Sequence, residues 1–236
     1  MKRLAGIISM LALAGCAALE PATQQQTGWA GAWGASPTIP PAGGKAFENQ
    51  TVRQVVRLST GGSAVRIRFT NEYSDKPLDI GAATIAIAGA DGKPTGEILA
   101  LTFGGKPSVA IPAGAPLLSD PVALSVKALD SLSLSIFLPT ATGPCTCHFA
   151  GTATAYLSGP GDFTRTGFEP ASTFTNRAFI SGVEVTRPDP RTIIAFGDSI
   201  TDGTASTVNA NKRWPDVLAE RLAAADFARP ISNQAI

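Results

Sequence analysis

The sequence predicts a mainly β fold, an antiparallel β-sandwich or jelly roll, followed by the opening unit of an α/β domain. Three observations predict it. Glycine (24) and proline (18) are abundant while only 16% of the 236 residues are charged, a balance that suits tight turns between strands better than a helical bundle. From Trp29 to Arg187 apolar residues recur mostly with a period of two, the mark of strands with one buried face. After the proline-bounded joint "RPDPR" (187–191) the texture changes to an unbroken apolar run, a Gly-Asp-Ser turn and a stretch of helical spacing.

Within the first region, "AVRIRFT" puts Val65, Ile67 and Phe69 on one face and Arg66, Arg68 and Thr70 on the other. "LDSLSLSIFLP" sets Leu132, Leu134, Ile136 and Leu138 opposite Ser131, Ser133, Ser135 and Phe137. Turn signals stand between such runs: Thr60 to Ser63, Asp91-Gly92, Gly104-Gly105, Pro112 to Gly114 and Ser158 to Gly161. These readings give a β-sandwich domain over 29–187. The joint opens a second region, 188–236. There Thr192 to Phe196 is apolar without alternation, as in a strand buried on both faces of a parallel sheet. "WPDVLAERLAAADF" reads as a helix with Pro215 at its start, Asp216 in the first turn, and Leu218 with Leu222 as the buried stripe. "ISNQAI" begins a second strand. A lone unit of about 45 residues cannot cover both faces of its sheet. It therefore packs on the β domain, is completed by another chain, or belongs to a longer protein.

The first residues carry address rather than fold. Lys2 and Arg3 precede an apolar stretch, Leu4 to Ala14, too short to span a bilayer. It closes on Leu13-Ala14-Gly15-Cys16, which resembles a bacterial lipobox. By that resemblance residues 1–15 are a lipoprotein-type signal peptide and Cys16 is the lipidated anchor; an ordinary secretory signal cleaved nearby is the alternative. Either way the chain is exported, anchored in the bacterial envelope (outer membrane or periplasm) or secreted. Residues 16–28, with Gln24-Gln25-Gln26, read as a tether. The formal net charge of +1 and the absence of long basic runs exclude nucleic-acid binding as the expectation.

Two further cysteines stand in "GPCTCHF". Export permits a Cys145–Cys147 disulfide, strained or redox-labile across so short a ring. A metal held by Cys145, Cys147 and His148 is the weaker option, because three adjacent ligands rarely close a site. His148, the single histidine, reads best as a structural residue with its hydrogen bonds satisfied.

The chemistry lies in "TIIAFGDSITDG". A nucleophilic serine must be exposed, held in a tight turn and placed near backbone N–H groups that stabilise an oxyanion. Gly197 permits the sharp exit from the strand, Asp198 orders the turn by accepting backbone hydrogen bonds, and Ser199 stands at the carboxyl end of the strand, where open α/β sheets form clefts. "IIAFGDSITDG…RWPDVLAERL" resembles the first motif block of the SGNH/GDSL hydrolases, serine esterases and lipases of flavodoxin-like α/β fold, with Ile200 where the family name has leucine. "WGASPT", "FENQTVRQVVRLSTGGSAVRIRFTNEY" and "GPGDFT" resemble the β-sandwich domain that precedes the catalytic domain in one secreted subgroup. The likeness spans Trp33 to Ile236.

The resemblance implies that Ser199 is the catalytic nucleophile and first oxyanion N–H donor, and Asp198 its loop-ordering neighbour. It implies carboxylic ester hydrolysis through an acyl-serine, on a small ester or acylated carbohydrate, with no metal or organic cofactor. His148 does not match the catalytic histidine. Nor do the family's oxyanion glycine and asparagine or its Asp-x-x-His pair have counterparts; Asn233 precedes the expected glycine position and is not taken for the asparagine. The expectation is the N-terminal portion of such an enzyme, nearly inactive without the C-terminal half of its hydrolase domain. The alternative of a different class is a lipid-anchored β-sandwich module that binds carbohydrate, with a vestigial hydrolase tail and with Trp29 or Trp33 serving the ligand.

Overall fold

The structure, a computed structural model, describes residues 27–236. The predicted signal segment 1–15, Cys16 and most of the tether lie outside the described residues. The strands in chain order are β1 (Gly28–Gly34), β2 (Gln50–Arg57), β3 (Val65–Thr70), β4 (Leu78–Ile80), β5 (Ala82–Ala88) and β6 (Pro94–Ala100). They continue with β7 (Val109–Ile111), β8 (Pro116–Leu118), β9 (Ser131–Leu138), β10 (Cys147–His148), β11 (Ala155–Pro160) and β12 (Ser172–Phe174). After β13 (Arg177–Ala178) and β14 (Ile180–Arg187) come β15 (Ile193–Ala195), α1 (Ser199–Asp202), α2 (Trp214–Ala224) and β16 (Ile231–Asn233).

The protein is mainly β, built on two antiparallel sheets, one ordered β12-β11-β2-β9-β5-β6 and the other β1-β14-β3-β8. Alternation explains the core. Val65, Ile67 and Phe69 of β3 join Val183 and Val185 of β14, and they meet Val52, Val56, Leu132, Leu134 and Ile136 of the other sheet in one apolar cluster. Arg66 and Arg68 point the other way and pair with Glu184 and Glu72.

Strict alternation fails in β9, where Ser133 and Ser135 are buried as well as the leucines. This strand lies between β2 and β5, and its second face is covered by chain that the local pattern does not reveal. Ser135 accepts from Arg53 Nε at 2.8 Å, and Arg53 Nη2 donates to the carbonyls of Phe163 and Thr166. The predicted turn at 158–161 is a second difference. Ser158 to Pro160 complete β11, where the register against β2 shifts between Leu157 and Pro160 to accommodate a residue without an N–H.

The last segment packs on this β body. β15 and β16 pair in parallel. β16 lies along β1, and the Ser59 hydroxyl joins the parts by accepting from Ile231 N–H at 2.8 Å while facing the Ala32 carbonyl at 2.8 Å. Gly31 N–H donates to Thr192 Oγ1, and Arg57 pairs with Glu220 at 2.8 Å. The proline joint is pinned by Asp189. Its carboxylate receives Arg191, then Arg229, and these hold it well below the usual carboxylate range.

Two expectations for this segment need correction. β15 is not buried on both faces, because Ile193 and Ile194 stay substantially exposed and Phe196 is 82% exposed; two strands supply no cover for the outer face. In α2 the buried residues are Pro215 and Ala219, while Leu218 and Leu222 are half-buried. Small residues at i and i+4 let the helix backbone approach β16 closely, a preference that hydrophobic weight alone does not signal. Among the described residues no helix is long and apolar enough to cross a membrane.

Candidate active site

β15 ends at Ala195, and within four residues the chain turns into the one-turn helix α1. Gly197 is required at that corner, since a Cβ there would lie 2.4 Å from Thr201 Oγ1. Asp198 is the N-cap, and its Oδ1 accepts from Ile200 N–H at 3.0 Å, as expected for a carboxylate at a helix start. Ser199 follows, exposed to solvent. The Ser199 carbonyl accepts from the N–H groups of Gly203 (3.0 Å) and Thr204 (2.9 Å), which closes the turn. Gly203 sits at φ 87°, and a side chain there would collide with Arg213.

Three side chains that the sequence did not single out secure this turn. Asn233 of β16 donates from Nδ2 to the Thr201 carbonyl at 3.0 Å. Arg213, almost fully buried, lies over Gly203 and donates from Nε to Asp216 at 2.9 Å. Asp202, the last residue of α1, is buried with its Oδ1 2.8 Å from His148 Nε2. The pattern held one signal for Asp202, its helical spacing of three from Ser199. Its partner lies 54 residues upstream on β10, and no local pattern joins the two.

His148 itself is buried at 3% exposure, a structural residue as the sequence suggests. Nδ1 lies 2.9 Å from the Ser36 carbonyl oxygen, which can only accept, so Nδ1 donates there. Nε2 meets the Asp202 carboxyl across a single proton. With both nitrogens engaged and the ring enclosed, His148 is in no position to take a proton from Ser199. On the neighbouring strand Arg177, its cross-strand partner, is also buried. Enclosure first, then the nearby Arg213 cation, push its guanidinium down to about 9, with Asp216 opposing. Its Nε and Nη1 have no hydrogen-bond partner, and the guanidinium stands 5.6 Å from the centre of the Trp33 ring.

Cys145 and Cys147 form a disulfide, so their sulfurs are not thiolate ligands, and among the described residues no cluster of His, Cys, Asp and Glu could hold a metal ion. Trp33 is buried and Trp29 lies beneath the Arg66 guanidinium at 4.3 Å; both serve packing rather than an open sugar platform. A groove of about 450 Å³ is open where the parallel strands end. Phe196, Gln234 and Ile236 line one side and Arg68, Glu72 and Tyr73 of the β body the other.

Fold and site define a β-rich protein that carries an exposed serine on a braced strand-to-helix turn. No protein-family model matches the chain, and no curated protein is similar to it in sequence.

Proposed function

We propose that the chain is part of a serine ester hydrolase of the SGNH/GDSL kind, with Ser199 as nucleophile, Asp198 ordering its turn, and the β body as the sandwich domain preceding the catalytic one. The observation that carries this reading is the exposed Ser199 at the carboxyl end of a parallel strand, fixed by an aspartate cap and a closed backbone turn. Such a serine is accessible to a substrate, and its own N–H lies at the helix start, where an oxyanion is favoured.

In the reaction, Ser199 Oγ attacks the ester carbonyl carbon and its proton passes to a base. The oxyanion then collapses, expelling the alcohol, which takes up that proton. Water attacks the acyl-serine and releases the acid. These residues supply the nucleophile and the first oxyanion donor. The reading calls for a partner polypeptide or segment that supplies the base and further donors, since the single histidine is engaged at Asp202 and Ser36. General-base assistance is worth roughly 10²–10⁴-fold, so the 236 residues alone turn over slowly. The groove beside Phe196 suits a small ester or an acylated carbohydrate, and no metal or organic cofactor is part of the proposal. Export with a lipid anchor on Cys16 completes it, and places the protein in the bacterial envelope.

The test is hydrolysis of a chromogenic acetate ester by this chain with a complementing C-terminal SGNH segment added in trans. Turnover above either part alone, lost in Ser199→Ala, supports the proposal. Equal turnover by wild type and Ser199→Ala removes Ser199 from the mechanism.

A further inference from the structure

We propose that His148 is a positioning residue for the Ser199 turn, acting through Asp202, so that the β body sets where the serine stands. The catalytic consequence rests on the hydrolase proposal; the contact does not.

The helix α1 has four residues, too few to hold its shape by its own hydrogen bonds. Three side-chain contacts hold it. The Asp198 cap belongs to the turn itself, and the Asn233 bond comes from β16, the partner strand of β15. Only the Asp202–His148 bond ties the turn directly to the β body. Both residues are buried, so water does not compete for that bond and it gains strength from the low local dielectric.

His148 is itself held on every side. Nδ1 donates to Ser36, the strand pairing sets it opposite Arg177, and the residue before it is bridged to Cys145. The far end of the bond leads to the serine. Asp202 N–H donates to Asp198 O, and the next two N–H groups donate to Ser199 O. A shift of the Asp202 carboxylate therefore moves the backbone that carries Ser199.

Hydrogen exchange on the full chain tests this, with two amides in place of the imidazole. In His148→Gln the side-chain nitrogen stands near the Nε2 position and can still donate to Asp202. In His148→Asn it stands near Nδ1 and reaches only Ser36. Exchange at the amides of Asp202, Gly203 and Thr204 is expected to rise roughly tenfold or more in His148→Asn. In His148→Gln it stays within about threefold of wild type, and the Leu134 and Ile136 amides are unchanged in both. Equal exchange in the two variants, or loosening in Gln but not Asn, overturns the proposal. Should His148→Asn fail to fold, Asp202→Asn replaces it: faster exchange confined to 202–204 supports the role, and unchanged exchange overturns it. Exchange needs no ester turnover, so failure here leaves the hydrolase proposal standing, and failure of the ester assay leaves this one standing.

Discussion

Replacing Arg177 with methionine is expected to stabilise the protein. The guanidinium is buried beside Arg213 with Nε and Nη1 unpaired. Burial pushes it from 12.5 down to about 9, and at about 1.4 kcal/mol per tenfold change in proton affinity the charge costs on the order of 5 kcal/mol at neutral pH. Methionine keeps an unbranched stem where Cγ and Cδ of Arg177 lie against Gly151, and Asp216 keeps Arg213 as its partner. The variant loses the contact with Trp33, worth roughly 0.5–2 kcal/mol. A net gain of about 1–3 kcal/mol follows, in line with other replacements of buried charges by apolar side chains. For a chain of this size that raises Tm by about 3–10 °C. The pH dependence has a definite sign. The native guanidinium loses its proton more easily than the unfolded one, so the penalty is complete below about pH 9 and is relieved as pH rises further. Thermal melts of wild type and variant at pH 7 and pH 10.5 measure both effects. A lower Tm for Arg177→Met at pH 7, or a gap that does not narrow at pH 10.5, refutes the reasoning.

Three other outcomes are expected. Gly203→Ala places a Cβ 2.1 Å from Arg213 Cγ at φ 87°; stability falls by about 2–4 kcal/mol, and urea unfolding with an unchanged midpoint would contradict the described corner. The Asp120 carboxyl is held below its ordinary value chiefly by Gly105 N–H, then by the Thr102 hydroxyl and Gly104 N–H. Its contribution is therefore present above the unfolded value and lost as pH falls through the lower folded one. The Gly104 and Gly105 amide shifts report that midpoint, and one at or above about 4 contradicts these bonds. The Cys145–Cys147 ring spans a sequence separation of 2, so replacing both cysteines with serine costs no more than about 2 kcal/mol by chain entropy; loss of cooperative melting would show that the bridge does more than restrict the unfolded chain.

Much of the β body was legible. The alternation of Val65, Ile67 and Phe69, and of Leu132, Leu134 and Ile136, anticipated which side chains are fully buried, because a strand turns successive residues to opposite faces. The second face of β9 was not legible, since burial of Ser133 and Ser135 depends on β2, β5 and Arg53 arriving from elsewhere in the chain. At the candidate site the order strand, Gly-Asp-Ser turn, helix and strand could be read directly, and so could the Asp198 cap. The exposure of Ile194 and Phe196 could not, because an apolar run states that cover is wanted and not what supplies it. The burial of Ala219 in place of Leu218 likewise follows from the close approach of α2 to β16, which only the folded chain defines.

By itself, then, the sequence determined the strands, the turn chemistry and the serine at the corner, since backbone sterics and side-chain alternation act over a few residues. The tertiary structure alone decided that His148 meets Asp202, that Arg213 lies over Gly203, and that Arg177 is buried without partners. Those contacts join residues dozens of positions apart, and no local periodicity encodes which of many distant polar groups will share one dry space.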